Sequence, residues 1–137
     1  GEFPFYIFGG VSIIAIEDVI AATLKAWDVG RSGERYILAG DNITIHELFK
    51  MIADCADVEP PKIYLPNFVV HTLGKVGDCL ESIGKKGPIN SENAWTSTLF
   101  HWFSHEKAKK ELGLNPKPAR FAIENSIRWV KEQGWLQ

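Results

Sequence analysis

The chain has 137 residues, 45% hydrophobic and 23% charged, with a formal net charge of −2. That is about one domain of ordinary globular composition, and it excludes a broad basic surface for phosphate backbones or anionic membranes. Its 5 Trp, 3 Tyr and 8 Phe are expected to supply much of the core.

Gly1-Glu2-Phe3 has no initiator Met and leads at once into apolar sequence, which reads as the start of a fragment that begins within a fold. The apolar run is broken by Gly9, Gly10 and Glu17, too short for a bilayer span and without the basic flank of a secretory signal. Cytoplasmic residence is the expectation. Val11 to Ile16 reads as a strand leaving the Gly9-Gly10 turn. Asp18 is placed to cap the helix that follows, with Val19, Ile20, Leu24 and Trp27 at helical spacing. Glu34 to Ala39, bounded by Gly33 and Gly40, reads as a second strand, and its apolar run suits one covered on both faces in a parallel sheet. Asp41-Asn42 is the turn after it.

Thr44-Ile45-His46-Glu47 is a capping box and predicts a helix to about Ala56, with Leu48, Ile52 and Cys55 on one face. Pro60-Pro61 prevents its continuation. Lys62 to Leu65 is a short strand candidate, and Pro66-Asn67 opens a helix to Ser82 with Phe68, Val69, Leu73, Val76 and Leu80 as its apolar stripe. Residues 84–90 form a loop. Asn90 or Ser91 caps a short helix, and Leu99 to Phe103 has an extended character. Ser104 caps a helix that Gly113 closes, and the last helix runs from Ala119 to about Gln133, burying Phe121, Ile123, Ile127 and Val130. Trp27 and Trp129 are expected in the core. The fold class is α/β, mostly helical with two or three short strands, in a single domain over residues 1–137. The 34–39 strand lacks neighbours, so residues 11–39 are expected to complete an absent sheet.

Candidate chemistry is sparse. Cys55 and Cys79 form no Cys-x-x-Cys pair and suggest two free thiols. His101 and His105 are four apart, but Ser104 starts a helix between them and no third ligand is near, so no metal site is assigned. Ile83-Gly84-Lys85-Lys86-Gly87 is similar to the Gly-x-x-Gly loop of a KH nucleic-acid domain, but Pro88 stands where the next helix would begin. A solvated basic turn is the better account, and no nucleic-acid or membrane partner is expected. There is no Gly-x-Gly-x-x-Gly turn to cradle a pyrophosphate, and no Tyr is followed four residues later by Lys. The chain is expected to contain no catalytic residue and to bind no cofactor by itself.

Four blocks in order carry a resemblance. Ile14-Ala15-Ile16-Glu17-Asp18-Val19-Ile20-Ala21-Ala22 is followed by Gly33-Glu34-Arg35-Tyr36-Ile37-Leu38-Ala39-Gly40-Asp41-Asn42-Ile43-Thr44. Pro60-Pro61-Lys62-Ile63-Tyr64-Leu65-Pro66 and then Ser104-His105-Glu106-Lys107-Ala108-Lys109-Lys110-Glu111-Leu112-Gly113 complete the set. Together they resemble the C-terminal, substrate-side part of extended short-chain dehydrogenases/reductases, the NAD-dependent epimerase/dehydratase family. The wording is closest to the dihydroflavonol-reductase-like branch, which includes hopanoid-associated sugar epimerases.

The resemblance implies that 34–39 is the last strand of an absent Rossmann sheet. It implies further that the parent enzyme uses NAD or NADP, with its Tyr-x-x-x-Lys acid/base on an N-terminal half. The partners implied are that half and a small-molecule substrate, and uncovered apolar surface on or beside Tyr36–Ala39 would promote self-association. Members acting on nucleotide sugars usually carry Arg where this chain has Val11, and often a second Arg near Ala94 and Trp95. Neither is present, so an uncharged or aromatic substrate is expected, lined by Tyr6, Phe8, Ile13, Trp95, Phe100 and His101. The competing readings are a free-standing interaction module and the KH-like binder.

Overall fold

The computed structural model describes residues 4–85, 87 and 89–135. In chain order these form β1 (Phe5–Ile7), β2 (Gly10–Ile13), α1 (Ile16–Val29), β3 (Asp41–Thr44), α2 (Ile45–Ala56), β4 (Ile63–Leu65), α3 (Asn67–Ser82), α4 (Ser91–Ser97), α5 (Glu106–Leu112) and α6 (Ala119–Glu132). The α/β, mostly helical expectation holds, and the strand candidate at Lys62 to Leu65 is realised as β4, but β1 and β3 were not expected and Glu34 to Ala39 is not a strand. β1 pairs in parallel with β4, setting Tyr6 opposite Tyr64, and β2 pairs antiparallel with β3, setting Gly10 opposite Thr44. β1 went unread because a run of three residues is too short to show an alternation. Asp41-Asn42 is not a turn: both residues lie in β3, where the ladder to Ile13 and Ser12 takes up their backbone groups. No helix among the described residues is long and apolar enough to cross a membrane.

The strand expected over Val11 to Ile16 stops at Ile13, because the Ala15 carbonyl already accepts the Asp18 and Val19 N–H groups and α1 starts at Ile16. Asp18 is therefore not a cap. It sits in the first helical turn and reaches across the fold, where its carboxylate accepts the Lys117 backbone N–H at 2.8 Å and faces the Lys117 ammonium at 3.4 Å. Asp41 does the same for the start of α6, accepting the Ala119 N–H at 2.8 Å. These two carboxylates pin the segment before α6 to α1 and β3.

Glu34 to Ala39 is not in a ladder, because no described strand lies beside it. Its side chains still alternate: Tyr36 and Leu38 pack with Ile14 and Ala26 on a buried cluster of Ala22, Ala108, Leu112 and Leu114, while Ile37 points outward. A polar clasp holds the segment to α5. Arg31 makes a two-point contact with Glu111, Tyr36 Oη donates to Glu111 at 2.7 Å, and Lys107 bonds Glu34 at 2.6 Å with its ammonium 4.7 Å from the centre of the Tyr36 ring.

The buried residues are small: Ala15, Ala22, Ala39, Ala53, Ala94, Ala108 and Ala119 stand beside Ile43, Val70, Leu112, Leu114 and Ile123. The aromatic core did not materialise. Trp27 is 90% exposed and Trp129 51%. On α1 the inward positions are Ala22 and Ala26, so the larger stripe of Ile16, Ile20, Leu24 and Trp27 faces out. α3 behaves in the same way. Its buried face is Val70, Gly74 and Gly77, and the expected stripe residues Phe68 and Val76 are exposed.

Close approach selects that face of α3. A methyl group on Gly74 would meet the Ala94 methyl at 2.8 Å and Ser91 Cα at 2.9 Å, and one on Gly77 would collide with the Ile89 carbonyl oxygen. The segment before α4, and α4 itself, thus cross α3 almost backbone to backbone. The KH-like loop reading falls partly on Lys86 and Pro88, outside the described residues. Gly87 lies against Gly77, where an added methyl would meet Gly77 Cα at 2.6 Å, so this end of the loop faces α3.

Candidate functional site

The site is assembled around Gly9 and Gly10. Gly9 accepts the Ile45 N–H at 3.0 Å, fastening the start of α2. The Gly10 N–H donates to the Leu99 carbonyl at 3.1 Å and its carbonyl accepts the His101 N–H at 2.8 Å, so the 99–101 segment runs parallel to the start of β2. Side chains are excluded at both positions: a methyl would meet the Ser97 carbonyl at 2.6 Å from Gly9 and the Phe100 ring at 2.6 Å from Gly10. The Trp102 indole N–H donates to the Ile43 carbonyl at 3.2 Å and closes the underside. The expected extended character of Leu99 to Phe103 is thus realised as a single bridge at Phe100.

Between this suture, α2 and α3 lies an apolar groove of about 680 Å³. β1 contributes Phe5, Tyr6 and Ile7, β2 contributes Val11, α2 contributes Ile45 and Phe49, and α3 contributes Val70 and Leu73. Leu65, Ile89, Thr96, Ser97, Leu99 and His101 complete the wall. Among the described residues, none that lines the groove is Asp, Glu, Lys or Arg. The Tyr6 ring stacks on His46, with centroids 4.4 Å apart and planes 14° from parallel, and also stands 5.7 Å from Tyr64. Glu47, one residue on from His46, is held below the ordinary carboxylate range by the Thr44 N–H and hydroxyl, and so remains a capping anion.

Of the six residues expected to line a substrate site, Tyr6 and His101 meet in this groove. Phe8 and Phe100 pair edge to face at 5.1 Å just outside the lining, and Phe100 continues onto Trp102 at 4.7 Å. Ile13 lines a different cavity of about 480 Å³, with Ser12, Ile14, Ile52 and residues of α6. The Ser12 hydroxyl there is buried and has no hydrogen-bond partner among the described residues. Trp95 projects from α4, 60% exposed, away from both linings. The other lining residues were missed, Val11, Phe49 and Leu73 among them. Val11 alone left a signal, as the position where an expected Arg is absent. His101 and His105 do not share a helix: His101 lies in the bridge segment and His105 is the residue before α5.

No family model matches the chain. It is 25% identical to a dihydroflavonol 4-reductase-like protein of Synechocystis sp., over 99% of this chain and 41% of that protein. Among solved structures, the crystal structure of gox2253 superposes with a TM-score of 0.82 at 33% identity, over 100% of this chain and 42% of that one. A UDP-glucuronic acid 4-epimerase from Bacillus cereus, solved in complex with NAD, superposes at a TM-score of 0.59 and 14% identity over 93% of this chain and 34% of that one. The last of these likenesses speaks for the fold alone. The chain spans about two fifths of the length of the curated relatives it matches first.

The chain thus has the fold of the C-terminal part of these reductases and epimerases and is similar to them over nearly its whole length. The sequence relatives include a sterol demethylase protein B of Methylococcus capsulatus and members of short-chain dehydrogenase/reductase family 42E beside the reductase-like protein, and several of the structural neighbours are epimerases.

Proposed function

We propose that the chain supplies the substrate-contacting side of an NAD(P)-dependent reductase or epimerase, and that its groove takes an uncharged, largely apolar or aromatic substrate. The nucleotide and the acid/base pair that moves the proton belong, in this reading, to a nucleotide-binding half. That half covers the outward apolar stripe of α1 and supplies the ladder that Tyr36 to Ala39 lacks. Chain of about that extent is what the longer relatives carry beyond their match to this one.

The observation that carries the substrate class is the wall itself. Val11 occupies the position where nucleotide-sugar enzymes usually have Arg, and it lines a groove whose described residues carry no formal charge. At the second position, near Ala94 and Trp95, Ala94 is fully buried against Gly74 and Trp95 is exposed, and neither side chain carries a charge. A diphosphate brought here would lose its hydration with no charge-assisted partner in return.

The test is NAD(P)H oxidation by the longest polypeptide the gene encodes, with neutral aromatic or aliphatic carbonyl compounds compared against nucleoside-diphosphate sugars. Turnover of the neutral compounds is expected, with a loss of kcat/KM in Val11→Arg. Micromolar binding of a nucleotide sugar by the native protein would overturn the substrate class.

A further inference from the structure

We propose that His101 is the hydrogen-bond acceptor by which this groove selects an apolar ligand bearing a hydroxyl group; the assignment rests on reading the groove as a substrate site. His101 Nε2 lies 3.1 Å from the Thr96 carbonyl oxygen. A carbonyl can only accept, so Nε2 carries the hydrogen. In the neutral imidazole the other nitrogen, Nδ1, is then the bare acceptor. No hydrogen bond from a described residue reaches it.

The rest of the wall offers little competition. The Ser97 hydroxyl gives its hydrogen to the Ala94 carbonyl at 2.9 Å and keeps only oxygen lone pairs for a ligand, and the other polar side chains of the lining, Tyr6 and Thr96, carry hydroxyls that can donate as well as accept. In its neutral form His101 therefore offers a ligand O–H a ring-nitrogen acceptor, a stronger one than the Ser97 oxygen, and has no donor left for a ligand carbonyl. Its position is fixed, because its own N–H is bonded to Gly10, where no side chain fits. An acceptor held on a rigid segment in an apolar wall discriminates by the cost of leaving it, or the ligand's donor, unpaired.

The measurement is titration of the native chain with 2-naphthol and with 2-methoxynaphthalene, two probes of similar apolar body that differ in the donor. The expectation is that naphthol binds roughly three- to tenfold more tightly. The ¹⁵N resonance of the unprotonated His101 ring nitrogen should move toward that of a hydrogen-bonded acceptor with naphthol only. His101→Phe should remove the difference while keeping binding of the ether, and His101→Gln, which retains an acceptor, should restore part of it. Equal affinities in the native chain, or a preference that survives His101→Phe, would overturn the role of His101 while leaving the groove as an apolar site. Binding of neither probe would overturn the reading of the groove and this inference with it.

Discussion

Glycines at two kinds of position do different physical work, and substitution separates them. Gly77 is buried on α3 with the Ile89 carbonyl where a methyl would go, whereas Gly113 has open space around it and a φ of 72°. Gly77→Ala must push two backbones apart and is expected to cost about 1–3 kcal/mol. Gly113→Ala meets nothing and should lose about 1–2 kcal/mol, through the left-handed conformation alone. The remedies differ accordingly. Asn tolerates the left-handed region, so Gly113→Asn should recover much of the loss, while Gly77→Ser should be no better than Gly77→Ala. Urea denaturation of the four variants checks this, and recovery of stability in Gly77→Ser would show that α3 and the 89–91 segment can separate cheaply.

Helix α2 was readable almost to the residue because its start is written in local chemistry. Thr44 Oγ1 accepts the Glu47 N–H at 3.2 Å and Glu47 returns to the Thr44 N–H at 2.8 Å. Thr44→Ala should cost about 1 kcal/mol, read as a lower urea midpoint with an unchanged slope. The faces of α1 and α3 were not readable in that way. Apolar spacing marks which residues share a face but does not say which face the fold covers, and here Ala22, Gly74 and Gly77 win the inward side because only small residues permit the approach. The groove was half legible for a related reason. Tyr6 and His101 are aromatic and polar residues that draw notice, whereas Phe49 and Leu73 are ordinary apolar residues that enter only through the orientations α2 and α3 take in the fold.

The clasp between residues 31–36 and α5 joins elements far apart in sequence. Glu111 is held below its ordinary carboxylate value by Arg31 and Tyr36, and Glu34 by Lys107 and Arg31. A carboxyl with a lowered folded-state pKa contributes its stability above its unfolded value, near 4.5, and loses it as pH falls through the folded value. Stability should therefore decline below about pH 4.5, and Glu111→Gln should flatten that decline while leaving the chain folded at neutral pH. Because the pairs are solvent-exposed, added salt should shrink the difference between the two proteins. An identical acid transition in Glu111→Gln would mean that the clasp adds nothing.

At the scale of the whole molecule, α1 presents an apolar face that the core does not use. Ile16, Ile20, Leu24 and Trp27 follow one another at helical spacing along α1, each more than half exposed, and Ile37 lies outward on the unladdered segment. Fully covering such side chains is worth roughly 1.5–3 kcal/mol each, so leaving several in water on one helix favours association with whatever apolar surface is offered. Under the proposed reading that surface is the nucleotide-binding half, and in its absence a second copy or an apolar dye takes its place. The chain should therefore bind an anilinonaphthalene sulfonate dye in its native state and sediment faster as its concentration rises. The double variant Leu24→Lys/Trp27→Lys should lose both behaviours. It should keep its unfolding midpoint, because neither side chain contributes to the Ala22–Leu112 cluster on the opposite side of the helix. The groove gives an internal control: its Val70 and Leu73 wall is unchanged in that variant, so residual dye binding that 2-naphthol displaces would report the groove, and dye binding that it does not displace would report α1. A native chain that remains monomeric at high concentration and leaves the dye dark would mean that α1 needs no cover, and the case for a nucleotide-binding half seated on it would fall.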